Sequence, residues 1–74
     1  MIVSVRALAS LAAFAPPDGR LDLPPGATVA AAAGALGLPP NDVGTILCND
    51  APAEADTPLA PGDKLTFIPP ITGG

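Results

Sequence analysis

Four proline doublets divide this chain: Pro16-Pro17, Pro24-Pro25, Pro39-Pro40 and Pro69-Pro70. Proline has no amide hydrogen and a fixed φ, so no helix or central strand runs through such a pair. Every regular element must fit in the gaps, and no gap reaches the roughly 18 apolar residues of a membrane helix. The chain is therefore limited to short elements joined by tight turns. Its 74 residues hold 11 prolines and 8 glycines, a share that borders on low complexity. Two features favour folding: Ile, Val, Leu and Phe total 19, and the formal charge is only −4.

Between the breaks, the apolar pattern changes period. Residues 2–7 alternate, with Val3 and Val5 on one side and Ser4 and Arg6 on the other, which predicts a strand. Residues 8–15 are alanine-rich and suit a short helical turn. After the Pro16-Pro17-Asp18-Gly19 turn, residues 20–23 place Leu21 and Leu23 on one face of a second strand, hairpin-like with the first. Thr28 is a helix N-cap candidate. Val29, Ala32, Ala33 and Leu36 then form one helical stripe. Gly37 suits the left-handed position past the helix end, with Leu38 as its apolar contact. Gly34 inside the helix suggests a close approach to a sheet. Residues 43–49 predict a third strand and 51–60 an irregular segment anchored by Leu59. Residues 64–68 predict a last strand, with Leu65 and Phe67 inward and Thr66 and Ile68 outward. One helix against a mixed sheet is a two-layer α+β domain. The matched apolar faces of the first and last strands predict that they pair centrally.

Composition excludes most chemistry. There is no histidine to act as general base, and Ser4 and Ser10 have no evident partner base. No phosphate-cradling glycine loop is present. One cysteine without histidine cannot build a zinc or iron–sulfur site, and Glu54 with Asp56 suits a solvated loop better than a cation site. Three basic residues against seven acidic ones disfavour nucleic acid as a partner. Cys48 lies in an apolar strand with no cationic neighbour and reads as a core cysteine. It can form no internal disulfide, so nothing demands an oxidising compartment, and a cytoplasmic protein is expected. The run ending Ala13-Phe14-Ala15 resembles a secretory signal, but cleavage there would remove the first strand.

The end of the chain remains. Past Pro69-Pro70 come Ile71, Thr72, Gly73 and Gly74. Stiff prolines followed by side-chain-free residues make an arm whose tip can enter a channel too narrow for a Cβ. Its terminal carboxylate would be the working group, made electrophilic by a partner that joins it to AMP.

These residues carry a resemblance. Pro61-Gly62-Asp63-Lys64-Leu65, Phe67-Ile68-Pro69-Pro70-Ile71-Thr72-Gly73-Gly74 and the upstream Leu23-Pro24-Pro25-Gly26-Ala27-Thr28-Val29 are together similar to the MoaD/ThiS family of sulfur carriers. The ending is closer to the small subunit of molybdopterin synthase than to the thiazole-pathway carrier. The resemblance implies a ubiquitin-like β-grasp fold over residues 1–74, with a mixed sheet of four to five strands, one main helix and a flexible tail over 69–74. It implies that an E1-like adenylyltransferase of the MoeB/ThiF type activates Gly74 with Mg-ATP held by that enzyme, this chain binding no cofactor. A sulfur donor then makes the thiocarboxylate, and the tail enters a molybdopterin synthase large subunit of the MoaE type or another acceptor enzyme. The chain would be a non-catalytic subunit of that complex. Gly73 would provide clearance, and Phe67, Ile68, Pro69, Pro70, Ile71 and Thr72 would meet the partner. Residues 8–15 lack the charged pair expected there. Thiamin thiazole, tRNA thiolation and tungsten cofactor pathways use the same tail chemistry. The rival readings are a ubiquitin-like protein modifier, a non-reactive β-grasp interaction module and an RNA-binding β-grasp domain.

Overall fold

In the structure, a computed structural model that describes residues 1–70, five strands form one mixed sheet. Strand β1 is Ile2–Ala7, β2 Arg20–Asp22, β3 Thr45–Cys48, β4 Ala51–Pro52 and β5 Lys64–Ile68, in the spatial order β2-β1-β5-β3-β4. The first and last strands do lie side by side at the centre. They run parallel, Val5 opposite Leu65 and Ala7 opposite Phe67. β2 pairs antiparallel with β1, and β3 pairs antiparallel with β5. The β1–β2 link is wider than a tight hairpin, because a 3-10 helix at Ala9–Phe14 intervenes and sinks Leu11 into the core.

Helix α1, Val29–Leu36, begins and ends where its caps dictate. The Thr28 hydroxyl accepts from the Ala31 amide at 3.3 Å, and Gly37 turns left-handed at φ 75°. Gly37 N–H donates to the Gly34 carbonyl and Leu38 N–H to the Ala33 carbonyl at 3.0 Å, the paired bonds of a Schellman cap, with Leu38 buried against the core.

Val3, Val5, Leu11, Leu23, Val29, Leu59, Leu65 and Phe67 form that core. Packing is incomplete beneath the helix. Ala30, Ala33 and Gly34 offer little side-chain volume on this side of the helix, leaving an apolar groove of about 300 Å³ bordered also by Val29, Leu38, Val43, Ile46 and Phe67.

Four expectations need correcting. Gly34 makes no close approach: it is exposed, and a Cβ there would meet nothing within 4 Å. Thr66 faces outward but is buried, because it sits in the central strand between the longer ladder neighbours Arg6 and Leu47. The third strand starts at Thr45, after a short 3-10 turn at Pro40–Asp42. Within the segment read as irregular, Ala51–Pro52 pairs with Leu47 and Cys48 as an edge strand.

Candidate functional site

β5 delivers the end of the chain. Its last residues are held from both sides, Leu8 N–H donating to the Phe67 carbonyl at 3.0 Å and Gly44 N–H to the Ile68 carbonyl at 2.8 Å. Pro69 and Pro70 follow at once. Neither can donate to a neighbouring strand, so ladder pairing must stop there. The residue before each proline is also confined to extended backbone, which makes 68–70 a stiff segment leaving the end of the sheet. Ile68 and Pro69 are half-buried and Pro70 is exposed. Ile71, Thr72, Gly73 and Gly74, four of the residues assigned to the reactive arm, lie outside the described residues.

Phe67 departs from the role expected of it. Its side chain has no exposed surface, so it packs in the core beneath β5 and presents nothing for a partner to touch. Alternation explains this: Val5, Leu65 and Phe67 share the helix-facing side, and Ile68 takes the other.

That other side is the open face of the sheet. Ladder register groups Arg6 with Thr66, Ser4 with both Lys64 and Arg20, Thr45 with Ile68, and Leu47 with Thr66. All three basic residues of an acidic chain therefore share the face from which Ile68 and Leu47 project. Asp50 lies 3.6 Å from Lys64 Nζ, but both groups are well exposed and the pair contributes little. Alternation around Arg6 was visible in the sequence; the gathering of Arg6, Arg20 and Lys64 needed the strand order.

The titratable cluster of the fold serves structure. Asp63 accepts from Ala60 N–H at 2.8 Å and from the Asn49 amide at 3.0 Å, and Asn49 Oδ1 accepts from Lys64 N–H. The Ala60 and Asn49 hydrogen bonds hold the Asp63 carboxyl below its ordinary pKa. Cys48 Sγ sits 3.7 Å from the same carboxylate. Burial, then the Asp63 charge, push the Cys48 thiol up, away from the thiolate form. Cys48 also lies opposite Leu65, three ladder positions and roughly 10 Å from the Ile68 end of β5. It is no part of the site. Among the described residues no group of three or more His, Cys, Asp or Glu side chains is placed to hold a metal ion. Nor is any helix among them long and apolar enough to cross a membrane. The apolar groove has no titratable lining and offers no catalysis.

A single helix across a five-stranded mixed sheet, with first and last strands parallel at its centre, defines a ubiquitin-like β-grasp protein. SAMP1 from Haloferax volcanii has the same fold, with a TM-score of 0.75 and 27% identity over the whole of both chains. A second structure, of H. volcanii small archaeal modifier protein 1, gives 0.75 and 25% over 95% of this chain and 98% of that one. A chain of the complex of subunits 1 and 2 of molybdopterin-converting factor from Helicobacter pylori 26695 gives 0.62 and 22% over the whole of both. No curated protein matches the chain. The ThiS family model matches residues 5–74, and the chain belongs to that family.

Proposed function

We propose that this protein carries sulfur on its C-terminal carboxylate. The observation that supports the reading best is the family match running through to Gly74, on a fold whose central strand ends in a stiff proline pair four residues before that glycine. In the proposed cycle, a Gly74 carboxylate oxygen attacks the α-phosphorus of Mg-ATP bound to an E1-like enzyme, and pyrophosphate leaves. Sulfide then attacks the acyl carbon of the mixed anhydride. AMP departs with one of the two carboxylate oxygens, and a thiocarboxylate remains. Transfer of that sulfur to an acceptor, with water restoring the oxygen, returns the carrier. Gly73 gives the tip clearance, and Ile71 and Thr72 line the partner's channel with Pro69 and Pro70.

The open face is the proposed docking surface. Ile68 and Leu47 supply apolar contact, and Arg6, Arg20 and Lys64 favour a partner surface bearing carboxylates. The acceptor proposed first is a molybdopterin synthase large subunit. Its support is the Pro-Pro-x-x-Gly-Gly ending and the two-subunit complex in which the similar H. pylori chain is found. The proposed setting is cytoplasmic. A second reading, a protein modifier that joins Gly74 to lysines of other proteins, has the two Haloferax modifier structures in its favour.

Intact-mass measurement after incubation with an E1-like enzyme, Mg-ATP and sulfide separates the two. A gain equal to one oxygen replaced by sulfur supports the carrier. Covalent adducts of the chain on other proteins support the modifier. An unchanged mass under conditions where the enzyme is active on another substrate rejects both.

A further inference from the structure

Gly44 is pressed against the base of the arm. A Cβ added there would stand 2.5 Å from Pro70 Cα, 2.7 Å from Pro70 N and 3.1 Å from the Pro69 carbonyl carbon. Those are backbone atoms, so no side chain can rotate out of the way. Gly44 is not among the residues with positive φ, so its backbone does not itself require glycine. Space alone demands it.

We propose that Gly44 is a positioning residue: its bare α-carbon forms the seat on which Pro69-Pro70 rests, and the seat fixes the direction of the chain at Pro70. Both sides of this contact resist adjustment. Gly44 is pinned to β5 by its 2.8 Å hydrogen bond to the Ile68 carbonyl and cannot retreat without losing it. On the other side, two proline rings fix φ at consecutive residues, and each restricts the residue before it. A push at Pro70 is therefore carried outward as a change of direction and is not absorbed locally. Four residues further on lies the group that must meet ATP in a partner's site.

This inference rests on the sulfur-carrier reading for its consequence, but the seat itself can be tested without it. In the free wild-type protein, NMR should show a strong cross-relaxation contact between the α-protons of Gly44 and Pro70. In Gly44→Ala, amide shifts should change most at 68 and 71–74. With an E1-like enzyme, ATP–pyrophosphate exchange driven by Gly44→Ala should fall in kcat by about tenfold or more, as a displacement near 1 Å at a reacting centre allows. Its KM should stay within about twofold, because the open sheet face is untouched. Gly44→Val should be worse. Gly34→Ala, an exposed glycine with free space around it, should behave as wild type.

Absence of the α-proton contact in the wild type overturns the proposal, and this needs no variant to fold. So does a Gly44→Ala protein that exchanges at the wild-type rate. A wild type that shows the contact but supports no exchange with an active enzyme leaves the seat standing and removes the carrier reading instead.

Discussion

Replacing Phe67 tests how much of the arm's support comes from the core. The side chain is fully buried in the central strand, with Ala7 and Ile46 as ladder neighbours. Truncation of such a residue costs about 3–5 kcal/mol. Phe67→Ala belongs at the middle of that range or above, because on the helix side the groove beside it is walled by Ala33 and Gly34, which have little to move into the space, although Leu38, Val43 and Ile46 border it too. A chain of 74 residues has a total stability of about 4–11 kcal/mol. The alanine variant therefore loses a third or more of it and is partly unfolded at the low end. Phe67→Leu keeps most of the volume, costs about 1 kcal/mol and lowers Tm by about 4–8 °C. Urea unfolding followed by far-UV circular dichroism measures both, the chain having no tryptophan or tyrosine to report by fluorescence. At a temperature where it is folded, the leucine variant should be activated as wild type. An alanine variant within about 1 kcal/mol of wild type would refute the core assignment. So would a stable leucine variant that lost activation, since Phe67 would then be a contact.

Three further outcomes are expected. Asp63 has a lowered carboxyl pKa in the fold, so its stabilising contribution is complete above its unfolded value of 3.8 and is lost as pH falls through the lower folded value. Urea midpoints of Asp63→Asn should vary less between about pH 5 and 2 than those of wild type, and parallel curves would contradict this. The Cys48 thiol, raised by burial and by Asp63, should alkylate more slowly than free cysteine at neutral pH, and faster in Asp63→Asn than in wild type. Equal rates in both variants would remove Asp63 as a cause. Gly73→Val should abolish activation by placing a branched side chain in the partner's channel, with Tm nearly unchanged; normal activation would count against a narrow channel.

Local pattern made much of this fold legible. Val3 with Val5 and Leu65 with Phe67 gave both central strands and their pairing, and Thr28 and Gly37 marked the ends of the helix, because caps and alternation act over a few residues. Features set by distant neighbours were hidden. Ala51–Pro52 is two residues long and contains a proline, so it has no period to read; only β3 beside it makes it a strand. Thr66 is polar and outward-facing, and its burial follows from being third of five across the sheet. Nothing near Gly44 in sequence announces that Pro70, 26 positions later, passes over it. The Gly73-Gly74 pair was singled out for the opposite reason: the role proposed for it needs no packing context, and it lies outside the described residues. That Arg6, Arg20 and Lys64 share the open face of the sheet with Ile68 required the strand order; Arg6 lies nearest the Ile68 end, while Lys64 and Arg20 lie toward the start of β5.

The most direct measurement locates the sulfur. Lys64 is the only lysine, so cleavage after it releases residues 65–74 as one peptide. After activation with Mg-ATP and sulfide, fragment masses of this peptide should place the exchange of oxygen for sulfur on Gly74 and leave Cys48, in the other fragment, unmodified. Sulfur found on Cys48, with an unaltered terminal peptide, would contradict the account.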